Sequence, residues 1–145
     1  MSEGEHPELD VRDYAALAAF RYELRRFQAF SEQAAAAHGL PAQQHQALLT
    51  IAGHLGPQAP TVGLIAEQLL ITSSSAVELV SRMVAGGLLV KKAGVADRRR
   101  VELHLTASAR DMLGKLSRAH LQELEVMEPA LTRALGRFGR ARRGT

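Results

Sequence analysis

Residues 61–106 read TVGLIAEQLLITSSSAVELVSRMVAGGLLVKKAGVADRRRVELHLT, and the fold is decided there. Thr61 can cap a short helix over Val62–Leu69. Thr72 or Ser73 can cap a second helix reaching about Ala85, with Val77, Val80 and Val84 as its expected buried stripe. Gly86-Gly87 stops it. Leu88–Lys92 reads as a strand. Val101, Leu103 and Leu105 alternate with Glu102 and His104, the pattern of a half-buried strand. Between them lies Ala93-Gly94-Val95-Ala96-Asp97-Arg98-Arg99-Arg100, a turn that is basic at its end, so the two strands should pair as a hairpin.

Helix, tight turn, helix and basic hairpin in that order is the layout of a winged helix-turn-helix. Outside it the pattern is helical. From Asp10 to Ala37, Leu17, Phe20, Leu24 and Phe27 recur at helical steps, and Gly39 and Pro41 end the run. A second helix is expected over Ala42–His54 with Leu48, Ile51 and Leu55 inward, followed by a loop over 56–60. Thr106 should cap a long helix carrying Leu113, Leu116, Leu124, Met127, Leu131, Leu135 and Phe138. Pro129 predicts a break near Glu128 and a last helix starting at Pro129. Residues 1–10 read as disordered and Arg140–Thr145 as frayed. The expected fold class is mostly α with a small β-hairpin wing, as one domain over 1–145. Residues 42–106 form its winged helix-turn-helix, and 10–37 with 107–140 supply helices that join two copies, because their apolar stripes exceed what one small head covers.

Composition agrees. The chain has 145 residues, 46% apolar but 4% aromatic, so its core must be mostly Leu, Val and Ala in packed helices. It has no cysteine, which excludes disulfides, thiolate metal ligands and a cysteine redox switch. No run of 18 apolar residues exists and the acidic N-terminus has no apolar signal region, so the expected location is cytoplasmic and no membrane partner is expected. The net charge of +3 is uneven: residues 1–60 hold 4 Lys/Arg against 7 Asp/Glu, while 61–110 and 111–145 each hold 7 against 4. A basic middle suits a polyanion.

That partner is expected to be double-stranded DNA. The N-terminal part of the second helix of the motif offers Ser73, Ser74, Ser75 and Glu78, side chains that can meet base edges in the major groove. Thr61 and Thr72 cap the two helices where they would approach the backbone. Arg98, Arg99 and Arg100 can lie along phosphates or in a narrow minor groove. Enzyme signatures are absent: there is no G-x-S-x-G, P-loop, G-x-G-x-x-G or cysteine nucleophile, so an enzyme is not expected. The six histidines form no H-E-x-x-H pair, and no metal or cofactor is expected.

The same residues carry a family likeness. Thr61-Val62, Ile65-Ala66, Leu79-Val80-x-Arg82-Met83, Gly87-Leu88-Leu89-Val90, Asp97-x-Arg99 and Val101-x-Leu103-x-Leu105-Thr106 resemble the signature of the MarR (multiple antibiotic resistance regulator) family, and GLPAQQHQALL at 39–49 resembles its second-helix start. The resemblance implies a homodimeric DNA-binding regulator, a repressor on an inverted-repeat operator, with its first, fifth and sixth helices at the interface and release by a small anionic aromatic ligand. It implies that Asp97 holds the wing, that Arg99 enters the minor groove and that Arg82 contacts DNA, with an i,i+4 pair to Glu78 as the alternative for Arg82. His45 falls where relatives carry a pocket-lining aromatic residue, which makes it the candidate effector contact. Two other readings remain open. One is a metal- or pH-sensing regulator of the same fold. The other is an architectural DNA-binding protein without effector.

Overall fold

The structure, a computed structural model, describes the backbone of residues 8–143 and the side chains of residues 8–138. Of the segments expected to be disordered (1–10) and frayed (140–145), residues 1–7 and 144–145 lie outside the described residues, and the backbone of 140–143 continues α5 instead of fraying. The elements are α1 (Val11–Ala37), α2 (Ala42–Ala52), α3 (Val62–Leu69), α4 (Ser73–Ala85), β1 (Leu89–Ala93), β2 (Val101–Leu105) and α5 (Ala107–Arg143). This is a mostly helical winged helix-turn-helix with one antiparallel hairpin, in register from Leu89 opposite Leu105 to Ala93 opposite Val101.

Two compact units divide the chain. Residues 31–119 form the head; residues 1–30 and 120–145 form the second unit. The boundary therefore falls inside α1 and α5, whose head-side ends belong to the head. The head core joins Ala35, Leu40, Ala47, Leu48, Ile51, Ile65, Ala76, Leu79, Val80, Met83, Leu89, Leu103, Leu105, Ala109, Leu113 and Leu116. Every element contributes between one and four such residues to a shared interior, and that burial stabilises the head. In the second unit the antiparallel course of α1 and α5 sets Phe20 edge-on to Phe138 at 6.1 Å and Phe30 edge-on to His120 at 5.3 Å.

The hairpin is fastened at its base by Thr106. Its hydroxyl donates to Gly87 O at 2.7 Å and accepts from Ala109 N–H at 3.2 Å, capping α5 as expected. Thr106 N–H also donates to Leu88 O at 3.1 Å. One residue thus ties the end of β2 to the start of β1 and of α5.

Several expectations are corrected. The stripe of α4 is Ala76, Leu79, Val80 and Met83; Val84 is half-buried and Val77 is 52% exposed. At about 100° per residue the buried four centre on one line, and Val77 lies some 100° away from it. Leu55 points outward at 98% exposure, because α2 ends at Ala52 and the helical period no longer governs residue 55. α5 runs through Pro129 with no sixth helix. A proline removes one backbone bond and crowds the carbonyl four residues earlier, at a cost of about 3 kcal/mol or more. Buried Met127 and Ala134 on either side keep the same face inward, which offsets that cost. Leu17, Leu24 and Leu135 are exposed rather than covered within the chain.

Candidate nucleic-acid interface

α3 and α4 meet at a bend of 116° across a short turn, the angle range of a helix-turn-helix. α3 carries Ile65 as its one fully buried residue, and half-buried Val62, Ala66 and Leu69 pack against the core beside it. Thr61 stands at the N-cap of α3 in extended conformation but makes no side-chain cap bond.

The turn is made by Leu70, with φ 55° and ψ 43°, a left-handed conformation that glycine adopts without penalty and leucine does not. Leu70 N–H reaches Glu67 O at 3.4 Å and Ile71 N–H reaches Ala66 O at 3.1 Å, which closes α3. Leu70 is 92% exposed, so its side chain contributes little packing in exchange. Leu70→Gly should therefore stabilise the head by about 0.5–1 kcal/mol, read as a higher urea midpoint with an unchanged slope. A lower midpoint would show that the leucine side chain stabilises the turn.

Thr72 caps α4. Its hydroxyl accepts from Ser75 N–H at 3.1 Å and donates to Ser75 Oγ at 2.9 Å, with Ser74 Oγ at 3.3 Å. One cap satisfies the helix start, so the serines that follow are not needed for that purpose. Ser73, Ser74, Ser75, Val77, Glu78, Ser81 and Arg82 form the exposed face of α4. Among the described residues the ion pairs are Glu23–Arg26 and Asp111–Lys115, and Glu102 Oε1 faces His104 Nε2 at 3.5 Å. Glu78 and Arg82 do not pair, which leaves the Arg82 guanidinium on the outer face without that alternative role.

The wing tip is built by Asp97 and Gly94. Asp97 Oδ1 accepts from Arg99 N–H at 3.0 Å, Asp97 O accepts from Arg100 N–H at 3.1 Å, and Gly94 N–H donates to Arg100 O at 2.8 Å. A Cβ on Gly94 would come within 2.5 Å of Asp97 O, so the turn requires glycine there. This geometry presents Arg98 and Arg99 to solvent. Arg100 differs from them: it is half-buried, and its guanidinium donates to Ala59 O in the loop before α3. Leu103 N–H donates to Pro60 O at 2.8 Å in the same loop. The loop 59–60 thus runs along the outer edge of β2, a contact that sequence periodicity does not announce.

His45 is 3% exposed, inside the head core on α2. A shallow groove of about 290 Å³ on the head is lined by Leu49, Thr50, Gly53, His54, Leu55 and Leu64 with Gln68, and His45 is not one of its walls. Among the described residues no group of three or more His, Asp or Glu converges as a metal site. No single helix among them is long and apolar enough to cross a membrane.

Comparison with known proteins gives the same architecture. Residues 38–100 match the profile of the MarR family. No curated protein matches the chain. Among solved structures, AbsC, a MarR family transcriptional regulator from Streptomyces coelicolor, is 17% identical with a TM-score of 0.68, covering 97% of this chain and 100% of its own. MepR, a transcription regulator of the Staphylococcus aureus multidrug efflux pump MepA, is 17% identical with a TM-score of 0.67, covering 89% of this chain and 92% of its own. The S. aureus MepR–DNA complex aligns at 18% identity and a TM-score of 0.62, over 75% of this chain and 78% of that one. At these identities the likeness is one of fold.

Proposed function

We propose that this chain, whose residues 38–100 match the MarR family model, is a homodimeric, sequence-specific DNA-binding transcription regulator that represses by occupying an inverted-repeat operator. One observation supports this above others. The exposed hydroxyl-rich face of α4 and the exposed pair Arg98 and Arg99 are the two surfaces that a winged helix-turn-helix brings to a duplex; Ser74 and Ser75 share their hydroxyls with Thr72, while Glu78, Arg82, Arg98 and Arg99 form no ion pair among the described residues. α4 enters the major groove, where Ser73, Ser74, Ser75 and Glu78 meet base edges and Arg82 reaches base or phosphate. The wing lays Arg98 and Arg99 on the backbone or in the adjacent minor groove. Asp97 keeps the tip in shape, and Thr61 and Thr72 stand at the helix starts nearest the backbone. Arg100 contributes through the posture of the wing.

The dimer follows from the second unit. Tyr14, Leu17, Leu24, Leu121, Val126 and Leu135 are exposed large apolar side chains on α1 and the distal half of α5. Exposed apolar side chains in that number on two long helices call for a partner surface, and a second copy supplies a self-complementary one. Light scattering at micromolar concentration should give twice the 15.7 kDa chain mass. Selection from a randomised duplex library should enrich an inverted repeat with half-site centres about 34–36 Å apart, one helical turn. A monomeric mass removes the dimer, and a library that yields no enriched sequence removes sequence-specific binding. Release of DNA by a small ligand through His45 would require the head to open, since that ring is enclosed by the core.

A further inference from the structure

We infer that Val77 reads the C5-methyl group of a thymine in the major groove and is a determinant of operator sequence, an inference that rests on the DNA-binding reading above. Val77 is 52% exposed and is the one large apolar side chain exposed on α4, among Ser73, Ser74, Ser75, Glu78, Ser81 and Arg82, with only the methyl of Ala85 exposed at the far end of the helix. It stands four residues after Ser73, three after Ser74 and four before Ser81, so small hydroxyl side chains surround it along the helix.

Several physical points converge. Valine is a poor choice for an exposed helix position on local grounds. Its branched Cβ lowers helix propensity relative to alanine, and half of its apolar surface stays in water. The head core is complete without it, since Ala76, Leu79, Val80 and Met83 supply the buried face of α4. Serine neighbours are short enough to let the helix backbone approach the groove floor, and two branched methyls at Val77 then stand proud of them. The groove offers one apolar feature for such a group, the thymine methyl, which distinguishes A·T and T·A pairs from G·C. This face also lacks amide side chains, the residues that read adenine by bidentate hydrogen bonds. A·T recognition at this position therefore falls to apolar contact.

The test replaces the methyl and the side chain separately. A duplex selected from the random library by the wild-type chain is remade with each thymine in turn changed to deoxyuridine, which removes the methyl and leaves every hydrogen-bonding group in place. Loss of one buried methyl should weaken wild-type binding about fourfold at one position per half-site. Val77→Ala, which alters both protomers, should lose about that factor per half-site, roughly sixteenfold on the thymine duplex, and nothing further on a duplex with deoxyuridine at the matching position of both half-sites. Val77→Thr, which keeps one methyl, should retain part of the discrimination. Circular dichroism of both variants confirms that the head is folded, as an exposed position predicts. If no deoxyuridine position weakens wild type, or if Val77→Ala responds to it as wild type does, the inference is overturned while DNA binding stands. If the library yields no preferred duplex, the DNA-binding reading falls first and takes this one with it.

Discussion

Replacing Arg98 and Arg99 together by alanine should weaken binding to every duplex by about a thousandfold at 0.1 M salt, with the two proteins converging as salt approaches 1 M. Both guanidinium groups are exposed at the wing tip, and neither closes an ion pair there: Asp97 spends its carboxylate on the backbone N–H of Arg99. In a dimer the double substitution removes four cations. Each phosphate contact releases counterions and contributes roughly 0.9 to the log–log dependence of affinity on salt, so the slope should fall by about 3.6. Sequence preference should change little, because phosphate contacts position the protein and base contacts specify. The substitution leaves Arg100 in place, since its bond to Ala59 O belongs to the architecture of the wing and its loss would blur the result. Fluorescence anisotropy on one selected and one random duplex over a salt series provides the measurement. Equal affinity and equal slope for variant and wild type would mean that the wing does not touch DNA.

The second large effect concerns Ile65. It is the single fully buried residue of α3, an eight-residue helix too short to be stable alone. Ile65→Ala should cost about 2–5 kcal/mol, from lost transfer free energy plus the cavity left where the surroundings cannot collapse. That is a large part of the roughly 5–15 kcal/mol that stabilises an ordinary domain. α3 holds the turn that aims α4, so the variant should lose DNA affinity as the head unfolds. Ile65→Val should cost only about 0.5–1.5 kcal/mol and keep binding. Urea unfolding followed by circular dichroism separates the two. A cost below about 1 kcal/mol for alanine would show that α3 is anchored by its half-buried residues instead.

Much of this was legible in the sequence because local chemistry and tertiary role agree. The start of α4 follows from Thr72, whose hydroxyl caps it, and the alternation in Val101–Leu105 marks β2 with its buried Leu103 and Leu105. The departures share one cause: two local patterns fitted and packing chose between them. In α4, Val77-Val80-Val84 and Ala76-Val80-Met83 are both helical stripes, and the second won because it lies in line with Leu79. At Pro129 a breaker opposed a continuous apolar face, and the face prevailed. Arg100 looked like its two neighbours because three identical residues carry no mark of which one turns back toward Ala59, 41 positions earlier. His45 could be placed on α2 from sequence, but its enclosure depends on what packs over it.

The loop along β2 has a consequence for colloidal behaviour. A two-stranded sheet has two open edges, and an open edge is a template onto which another chain can add a strand. Here the outer edge of β2 is met by Pro60, whose carbonyl takes the Leu103 N–H and which has no N–H of its own to offer back. Pairing therefore stops after that bond, and the ladder cannot be extended outward at this point. The opposite edge, β1, carries exposed Lys91 and Lys92, whose charges repel a second copy of the same strand. A proline on one side and lysines on the other guard the hairpin against edge-to-edge aggregation when many copies crowd together, without a third strand having to be built.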